Sequence, residues 1–457
     1  MRTEYHVRII HVPSVRLPAS EWGGRRQGLA EYTRGSPEFV EALCFLRVGS
    51  VEILVEALIP LLGGMKPTTE SQTAAPLHIH RGVPSTHNLF NFVPYDGKNL
   101  LQLTLDGKSP FGRVWDVRLL IQEIEENPNT TVTDIPFIDK GSNNYGFHLE
   151  TSDKRDLVAR LARGDVNMPD FDGFPIEVQA PEARFETVVY NLLQPEPLIR
   201  SSRLLYSRAP VQHLGPKLAI PQDLNGRRLF VFEKSEGVNN VWTDLSSGHK
   251  FLLLEQLASM RAALFRYNPP LSFAAEYLLE RLFKFMPPSL AMPVAPTREF
   301  WMHVLVAKIE ATIRGEGEMI GWEDDNETVG PVALAAKQSL LRAIPYLLPV
   351  DDSPEGSLYR LVIEHGDFGI HNTTISIQAG SGEPLVTSLF DWETACVGQT
   401  IIFRGFTTPG YKAAVQAGKD IRKLWFTLRD WRGGNSEEFF GALGAWAEKR
   451  TRELRDS

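Results

Sequence analysis

The chain has few cysteines, no long uncharged apolar run and no excess of positive charge. Its two cysteines, Cys44 and Cys396, provide neither a disulfide framework nor a thiolate metal site. The most apolar early segment, residues 39–62, is interrupted by charged residues, and no stretch approaches the roughly eighteen apolar residues of a membrane span. These absences exclude a disulfide-rich scaffold and argue against a membrane-spanning segment.

The charge balance limits the classes of partner. A formal net charge of −8 argues against general nucleic-acid binding, for which a clustered basic surface is needed. The same balance is compatible with a cationic acceptor such as an aminoglycoside or a choline-like amine. Residues 1–6 lack the charged-then-apolar form of a secretion signal. We therefore expect a cytoplasmic protein with no nucleic-acid partner and no membrane partner.

The chain is long enough for more than one lobe. Its 457 residues, 43% hydrophobic and 23% charged, have the composition of a globular protein with a substantial core. Residues 1–111 contain no motif that indicates a function. His78, His80 and His87 lie there, and a His-x-His pair can bind metal on a strand. With no nearby acid or cysteine we assign no metal site and treat 1–111 as an N-terminal extension of unclear role.

The most informative stretch is residues 364–372, Glu-His-Gly-Asp-Phe-Gly-Ile-His-Asn, followed after the next apolar run by Asp-Trp-Glu at 391–393. Phosphoryl transfer needs positioning and metal-borne charge neutralisation more than covalent chemistry. Magnesium takes one or two carboxylate or amide oxygens besides phosphates and water, which suits Asn372 and Asp391. Asp367 then remains to accept the proton of an attacking hydroxyl.

The chain around these residues predicts a β-hairpin. Ile375 and Ile377 alternate with polar residues, and residues 380–382 can form a turn. Residues 385–390 are largely apolar and rich in residues that favour β-strands. Such a hairpin would bring Asn372 and Asp391 to the same end. The alternative is a hairpin in which the polar residues only cap turns.

This pattern, His-Gly-Asp-x-x-x-x-Asn followed by Asp-Trp-Glu, resembles the aminoglycoside phosphotransferase and choline kinase group, whose fold is similar to that of protein kinases. The resemblance implies that Asp367 is the base, that Asn372 and Asp391 bind Mg²⁺, and that His365 shapes the catalytic loop. It also implies an α+β, bilobal fold that binds ATP. We expect residues 112–232 to form a small β-rich N-lobe with one main helix. Residues 233–457 should form a larger, mainly helical C-lobe.

A kinase-like fold also needs a glycine-bearing hairpin that covers the nucleotide phosphates. Gly141, Asn144 and Gly146 lie in a suitable turn, because glycines let backbone amides approach phosphates closely. Taken alone, these are also ordinary hairpin residues. Their position upstream of the catalytic motif is the order that the resembling fold requires.

The cation expected to contact the phosphates is an arginine here. Residues 158–161 read Val-Ala-Arg-Leu, so Arg160 stands where protein kinases carry lysine. Arginine remains charged and can bind phosphate with two donors; the alternative is a surface arginine. A predicted helix at 181–193 begins with Pro181 and supplies Glu186 as the partner of Arg160. Glu182 is the alternative, and either glutamate could be solvated.

Three further segments are predicted from periodicity. Residues 228–234 read as a buried strand, and in the resembling fold Phe232, Glu233 and Lys234 would meet the adenine. Apolar residues between 253 and 264 follow helical spacing, as do those at 114–126, and a further helix is predicted at 436–454. The acidic run at 316–325 could receive an amine, although such runs are usually solvated loops.

Together these features predict a phosphotransferase that moves the γ-phosphoryl group of ATP to a hydroxyl of a small-molecule acceptor, for which an amine-bearing compound is one candidate. The competing hypothesis is a non-catalytic kinase-like scaffold or sensor, supported by the arginine in the lysine position. Phosphorylation of protein hydroxyls is a third, less favoured hypothesis, because no Ala-Pro-Glu segment follows Asp391.

Overall fold

The computed structural model describes residues 100–111, 115–168, 171–213, 224–282, 287, 289–290, 292–316, 328–351, 357–400, 417–431 and 435–456. Cys44, the three histidines at 78, 80 and 87, and most of the acidic run at 316–325 lie outside these residues. The expected lobe boundary near 112 falls at one of the gaps.

Five antiparallel strands form the upper sheet. They are β1 (Val132–Lys140), β2 (Asn144–Thr151), β3 (Asp156–Ala162), β4 (Leu204–Arg208) and β5 (Leu229–Glu233), in the spatial order β1-β2-β3-β5-β4. The predicted glycine hairpin is the β1–β2 connection, and the predicted buried strand is β5. Both predictions are confirmed, whereas β4 has no counterpart in the sequence reasoning.

Three helices accompany the sheet: α1 (Leu100–Leu105), α2 (Val117–Glu126) and α3 (Ile176–Leu193). The predicted start of α3 at Pro181 is wrong, because the helix begins five residues earlier, after the N-cap Pro175. Pro181 lies in the second turn, where it removes one backbone hydrogen bond without ending the helix. A proline typical of a first turn was therefore an ambiguous marker of the helix start.

The two faces of the sheet belong to different cores. Leu157, Ala159 and Leu161 of β3 pack with the residues of α1 and α2, whereas Phe230 and Phe232 of β5 pack with α3 and the lower part of the protein. Side chains alternate along a strand, so Val158 and Arg160 of β3 point to the opposite, α3 side. This alternation turns the functional face of the sheet toward the helical lobe.

The lower lobe is mainly helical. Its helices are α4 (Ser247–Arg266), α5 (Leu271–Leu282), α6 (Arg298–Thr312), α7 (Pro331–Leu347), α8 (Lys419–Asp430) and α9 (Ser436–Arg455). The fully buried residues Trp301, Leu340 and Phe440 belong to its core. The predicted helices near 253–264 and 436–454 are confirmed, as is the two-lobed α+β fold. None of the described helices is long and apolar enough to cross a membrane.

Two small strand pairs lie in the lower lobe, and the residues of the predicted catalytic motif lie at their ends. Strand β6 (Leu361–Glu364) pairs with β9 (Cys396–Gln399), and β7 (Thr373–Ile377) pairs with β8 (Pro384–Leu389). The predicted β7–β8 hairpin is confirmed. Bridges from Ser201 to Leu389 and from Val238 to Ile375 join this hairpin to the segments that flank the upper sheet.

Candidate active site

The segment between β6 and β7 forms a tight loop at the junction of the two strand pairs. Gly366 adopts a φ of +79°, and a Cβ atom there would lie 2.2 Å from the backbone oxygen of Thr394. Only glycine fits both the left-handed backbone and this close approach. The loop then closes in a 3₁₀ turn, Ile370–Asn372, which leads directly into β7.

Asp367 presents its carboxylate at the surface of this loop, with a side chain 56% exposed. The Nδ2 atom of Asn372 donates to Oδ2 of Asp367 at 3.1 Å and to its backbone oxygen at 2.9 Å. The Nε2 atom of His371 lies 2.9 Å from the same Oδ2. An exposed carboxylate held in this way can accept a proton from a docked hydroxyl.

His365 lies beneath the loop and is buried. Its Nε2 atom is 2.9 Å from the backbone oxygen of Phe390, so the ring donates there. Its Nδ1 atom is buried without a partner among the described residues. Burial lowers the pKa of His365 to about 4. The ring is thus neutral and joins the loop to the residue that follows β8, which fits the loop-shaping role expected for it.

Asp391 follows β8 in a left-handed conformation, with φ +69° and ψ +60°. Its backbone N–H donates to the hydroxyl of Tyr190 on α3 at 3.0 Å. The preceding Phe390 donates from its backbone N–H to the backbone oxygen of Asn372 at 3.0 Å. Asp391 and Asn372 therefore stand at the same end of the β7–β8 hairpin.

Arg160 extends from β3 toward this end, on the α3 side of the sheet. Its Nη2 atom donates to Oδ1 of Asp391 at 3.0 Å, and its Nη1 atom is 3.7 Å from Oε1 of Glu186. Glu182, the alternative partner, instead lies 4.0 Å from Arg281. The structure thus brings Arg160, Glu186 and Asp391 into one charge cluster.

Burial and opposite charge act against each other in this cluster. Desolvation would raise the pKa of Asp391, but the nearby Arg160 guanidinium outweighs it and holds that pKa below its ordinary value. For the fully buried Glu186, desolvation wins and raises the pKa even though Arg160 and Arg228 oppose the shift. Asp391 is therefore the acid of the cluster that remains readily ionised.

The glycine hairpin stands on the same sheet as Arg160. The N–H of Gly141 donates to the backbone oxygen of Asn144 at 2.9 Å and closes the turn. Arg163 donates to the backbone oxygens of Gly141 at 3.1 Å and Ser142 at 2.9 Å. Gly146 pairs with Arg160 across β2 and β3. The turn is thus a fixed element one strand away from the charge cluster.

The predicted adenine-contacting segment lies at the end of β5. Phe232 is buried against Tyr190, with ring centroids 4.9 Å apart, and Glu233 forms an ion pair with Arg203 at 2.7 Å. The backbone N–H groups of Glu233 and Lys234 already donate to the oxygens of Arg203 and Asp156. An adenine contact here would therefore use backbone oxygens or the residues after Lys234.

Sequence reasoning gave no role to several residues that complete the site. Arg228, the residue before β5, donates to Oε2 of Glu393 at 3.1 Å and lies 3.9 Å from Oε2 of Glu186. Tyr190 follows Glu186 by one helical turn, and that i, i+4 spacing was a usable signal. Arg228 beside a buried strand and Glu393 in Asp-Trp-Glu were also visible in the sequence. No local pattern indicated that these two distant residues would form a pair.

The residues at the end of the hairpin fit a magnesium ion. Oδ2 of Asp391 and the side-chain oxygen of Asn372 accept no hydrogen bond from any described residue, and both are hard donors. No cluster of three or more His, Cys, Asp or Glu residues that could by itself hold a metal ion is found in the described part of the chain. Magnesium bound by one carboxylate, one amide and nucleotide phosphates needs no such cluster.

Comparison with known proteins assigns the chain to a family. The sequence model of the phosphotransferase enzyme family matches residues 134–401, which is more than half of the chain. The search of curated proteins found no match to the chain. Similar solved structures include a spectinomycin phosphotransferase with ADP and spectinomycin (12% identity, 74% of this chain and 98% of that one, TM-score 0.31). They also include a macrolide 2'-phosphotransferase from Brachybacterium faecium (16%, 73% and 95%, TM-score 0.31). At such scores the structural likeness adds nothing to the sequence match. From that match, the chain belongs to the phosphotransferase enzyme family.

Proposed function

We propose that the protein transfers the γ-phosphoryl group of ATP to a hydroxyl of a small molecule, with Asp367 as the base. The carrying observation is the convergence of Asp367, Asn372 and Asp391 at one end of the β7–β8 hairpin, opposite Arg160. This is the set of a base, two oxygen ligands and a phosphate-binding cation that phosphoryl transfer uses.

In the proposed reaction, the acceptor oxygen forms a bond to the γ-phosphorus as the bond to the bridging oxygen of ADP breaks. The acceptor proton passes to the carboxylate of Asp367. Magnesium, when bound, would neutralise phosphate charge, and Asn372 and Asp391 would hold it. Arg160 would bind the nucleotide phosphates, and Glu186 would orient Arg160.

The remaining sequence-derived residues have supporting roles in this proposal. Gly141, Asn144 and Gly146 would cover the phosphates, and the end of β5 would meet the adenine. His365 would keep the catalytic loop in place from beneath. The acceptor is proposed to be amine-bearing, since the net charge of −8 suits a cationic substrate.

The first test compares melting temperatures with ATP, with and without magnesium, for the wild type, Asp391→Ala and Asp367→Asn. Ligand at a hundred times its Kd stabilises a protein by about 2.7 kcal/mol. We expect a magnesium-dependent shift in the wild type that Asp391→Ala abolishes. Asp367→Asn should keep the shift but lose ADP release when amine-bearing and sugar acceptors are supplied.

Loss of the shift in Asp367→Asn as well would mean that this variant disturbs the site rather than the chemistry. A wild-type shift without turnover on any acceptor, or on water, would favour the non-catalytic scaffold. No shift in the wild type would contradict nucleotide binding altogether.

A further inference from the structure

The carboxylate of Asp367 is held by only one of its two oxygens. Oδ2 accepts from Nδ2 of Asn372 at 3.1 Å and lies 2.9 Å from Nε2 of His371. Oδ1 accepts no hydrogen bond from any residue in the described part of the chain. Both donors bind Oδ2 and leave Oδ1 free to accept a hydrogen bond. The direction in which Oδ1 points therefore depends on both donors.

We infer that His371 is a positioning residue for phosphoryl transfer, which holds Asp367 so that Oδ1 faces the acceptor hydroxyl; this inference rests on the proposed function. The ring donates, because an ionised carboxylate can only accept a hydrogen bond. His371 belongs to the 3₁₀ turn that ends in Asn372. One short turn thus supplies both donors to the base, and base orientation is a property on which transfer rates depend steeply.

Gly369 gives a second, independent observation. A Cβ atom at this position would lie 2.6 Å from Cε1 and 2.8 Å from Nδ1 of His371, and its nearest neighbours would all be atoms of that ring. The φ of Gly369 is −152°, an extended conformation that any residue can adopt. The backbone therefore does not require glycine here. Glycine is instead favoured because the His371 imidazole occupies the space that a Cβ atom would need.

Burial does not explain this arrangement. The side chain of His371 is 50% exposed and that of Asp367 is 56% exposed, so the ring fills no core. A half-exposed ring that occupies the space of a Cβ atom at residue 369 and lies within hydrogen-bonding distance of the base is a feature of the site.

The test is a double-mutant cycle on His371 and Gly369, read as ADP release from ATP and magnesium with water as the acceptor. We expect His371→Ala to lower kcat by about tenfold or more, by analogy with the loss found for hydrogen-bond partners of metal ligands, while KM for ATP stays unchanged. His371→Gln, which can place an amide donor near Oδ2, should recover part of the loss.

Gly369→Ala should also lower kcat, because the new methyl group would displace the ring. In the His371→Ala background the same glycine change should have no further effect. Gly380→Ala is the matched control, since a Cβ there meets nothing within 4 Å. Melting temperatures should show that every variant is folded.

Two results would overturn the inference: an unchanged kcat in His371→Ala, or losses that multiply in the double variant. A rise in KM for ATP that accounts for the whole effect would overturn it too, because it would assign His371 to nucleotide binding. Wild-type protein that binds ATP with magnesium but releases no ADP with water or with any supplied acceptor would reject the proposed function along with it.

Discussion

Nη2 of Arg160 donates to Oδ1 of Asp391 at 3.0 Å, so the carboxylate proposed to bind magnesium is already paired with a protein cation. Arg160 is at the same time the residue proposed to bind the nucleotide phosphates. A magnesium ion held by the same carboxylate would carry charge of the same sign as the guanidinium and would therefore weaken this pair, which would leave Arg160 available to the nucleotide phosphates.

This pairing predicts competition between Arg160 and magnesium. We expect Arg160→Gln to bind magnesium about fivefold more tightly than the wild type when no nucleotide is present, because a partly exposed ion pair is worth on the order of 1 kcal/mol. Calorimetric titration with magnesium measures this affinity. Arg118→Gln, which removes the cation of an exposed pair with Asp116, is the control. Equal affinities in wild type and Arg160→Gln would refute the competition.

The Tyr190 hydroxyl should support the metal ligand through the backbone. Tyr190→Phe removes the acceptor of the Asp391 N–H, and an unpaired buried donor costs about 1–3 kcal/mol. We expect a lower free energy of unfolding and a smaller magnesium-dependent shift in melting temperature with ATP. Tyr206→Phe is the control, because it removes a hydroxyl that donates to Glu123 at 2.9 Å. An unchanged magnesium-dependent shift in Tyr190→Phe would contradict this role.

His365 predicts a specific pH dependence of stability. Its pKa falls from 6.5 to about 4 on folding, mainly through burial. A lowered pKa favours the neutral ring in the folded state, so this contribution is present above pH 6.5 and lost as the pH falls through about 4. The contribution is about 3 kcal/mol.

Chemical denaturation of metal-free protein between pH 7 and 4 measures it. His365→Gln should lack this part of the loss, so the difference in unfolding free energy between wild type and variant should shrink as the pH falls. A constant difference would show that the ring does not titrate in this way.

The close approach of Gly366 to Thr394 predicts a large glycine effect. Gly366→Ala combines a left-handed backbone, which costs alanine about 1–2 kcal/mol, with a Cβ atom 2.2 Å from a backbone oxygen. We expect a loss of more than about 2 kcal/mol in unfolding free energy, measured by urea denaturation. Gly380→Ala should stay within about 0.5 kcal/mol. Similar values for the two variants would contradict the predicted strain.

Most of the elements could be predicted because their signals are local. The α4 and α9 helices follow from apolar spacing, and the β7–β8 hairpin follows from alternation and a glycine turn. Local signals failed where one residue fits two readings. Pro181 fits a first turn, yet the chain before it continues the helix.

The sequence by itself determined the order of the site: a glycine hairpin, an arginine strand, and then Asp367, Asn372 and Asp391 at their spacing. Residue order along the chain is sufficient for that, since each motif is short. Only the tertiary structure decided that Arg160 reaches Asp391 as well as Glu186.

The tertiary structure also decided that Tyr190 and Arg228 join the cluster of Arg160, Glu186 and Asp391. The physical reason is that these contacts join residues far apart in the chain. They depend on sheet register and on the face that each strand presents, which no local pattern specifies.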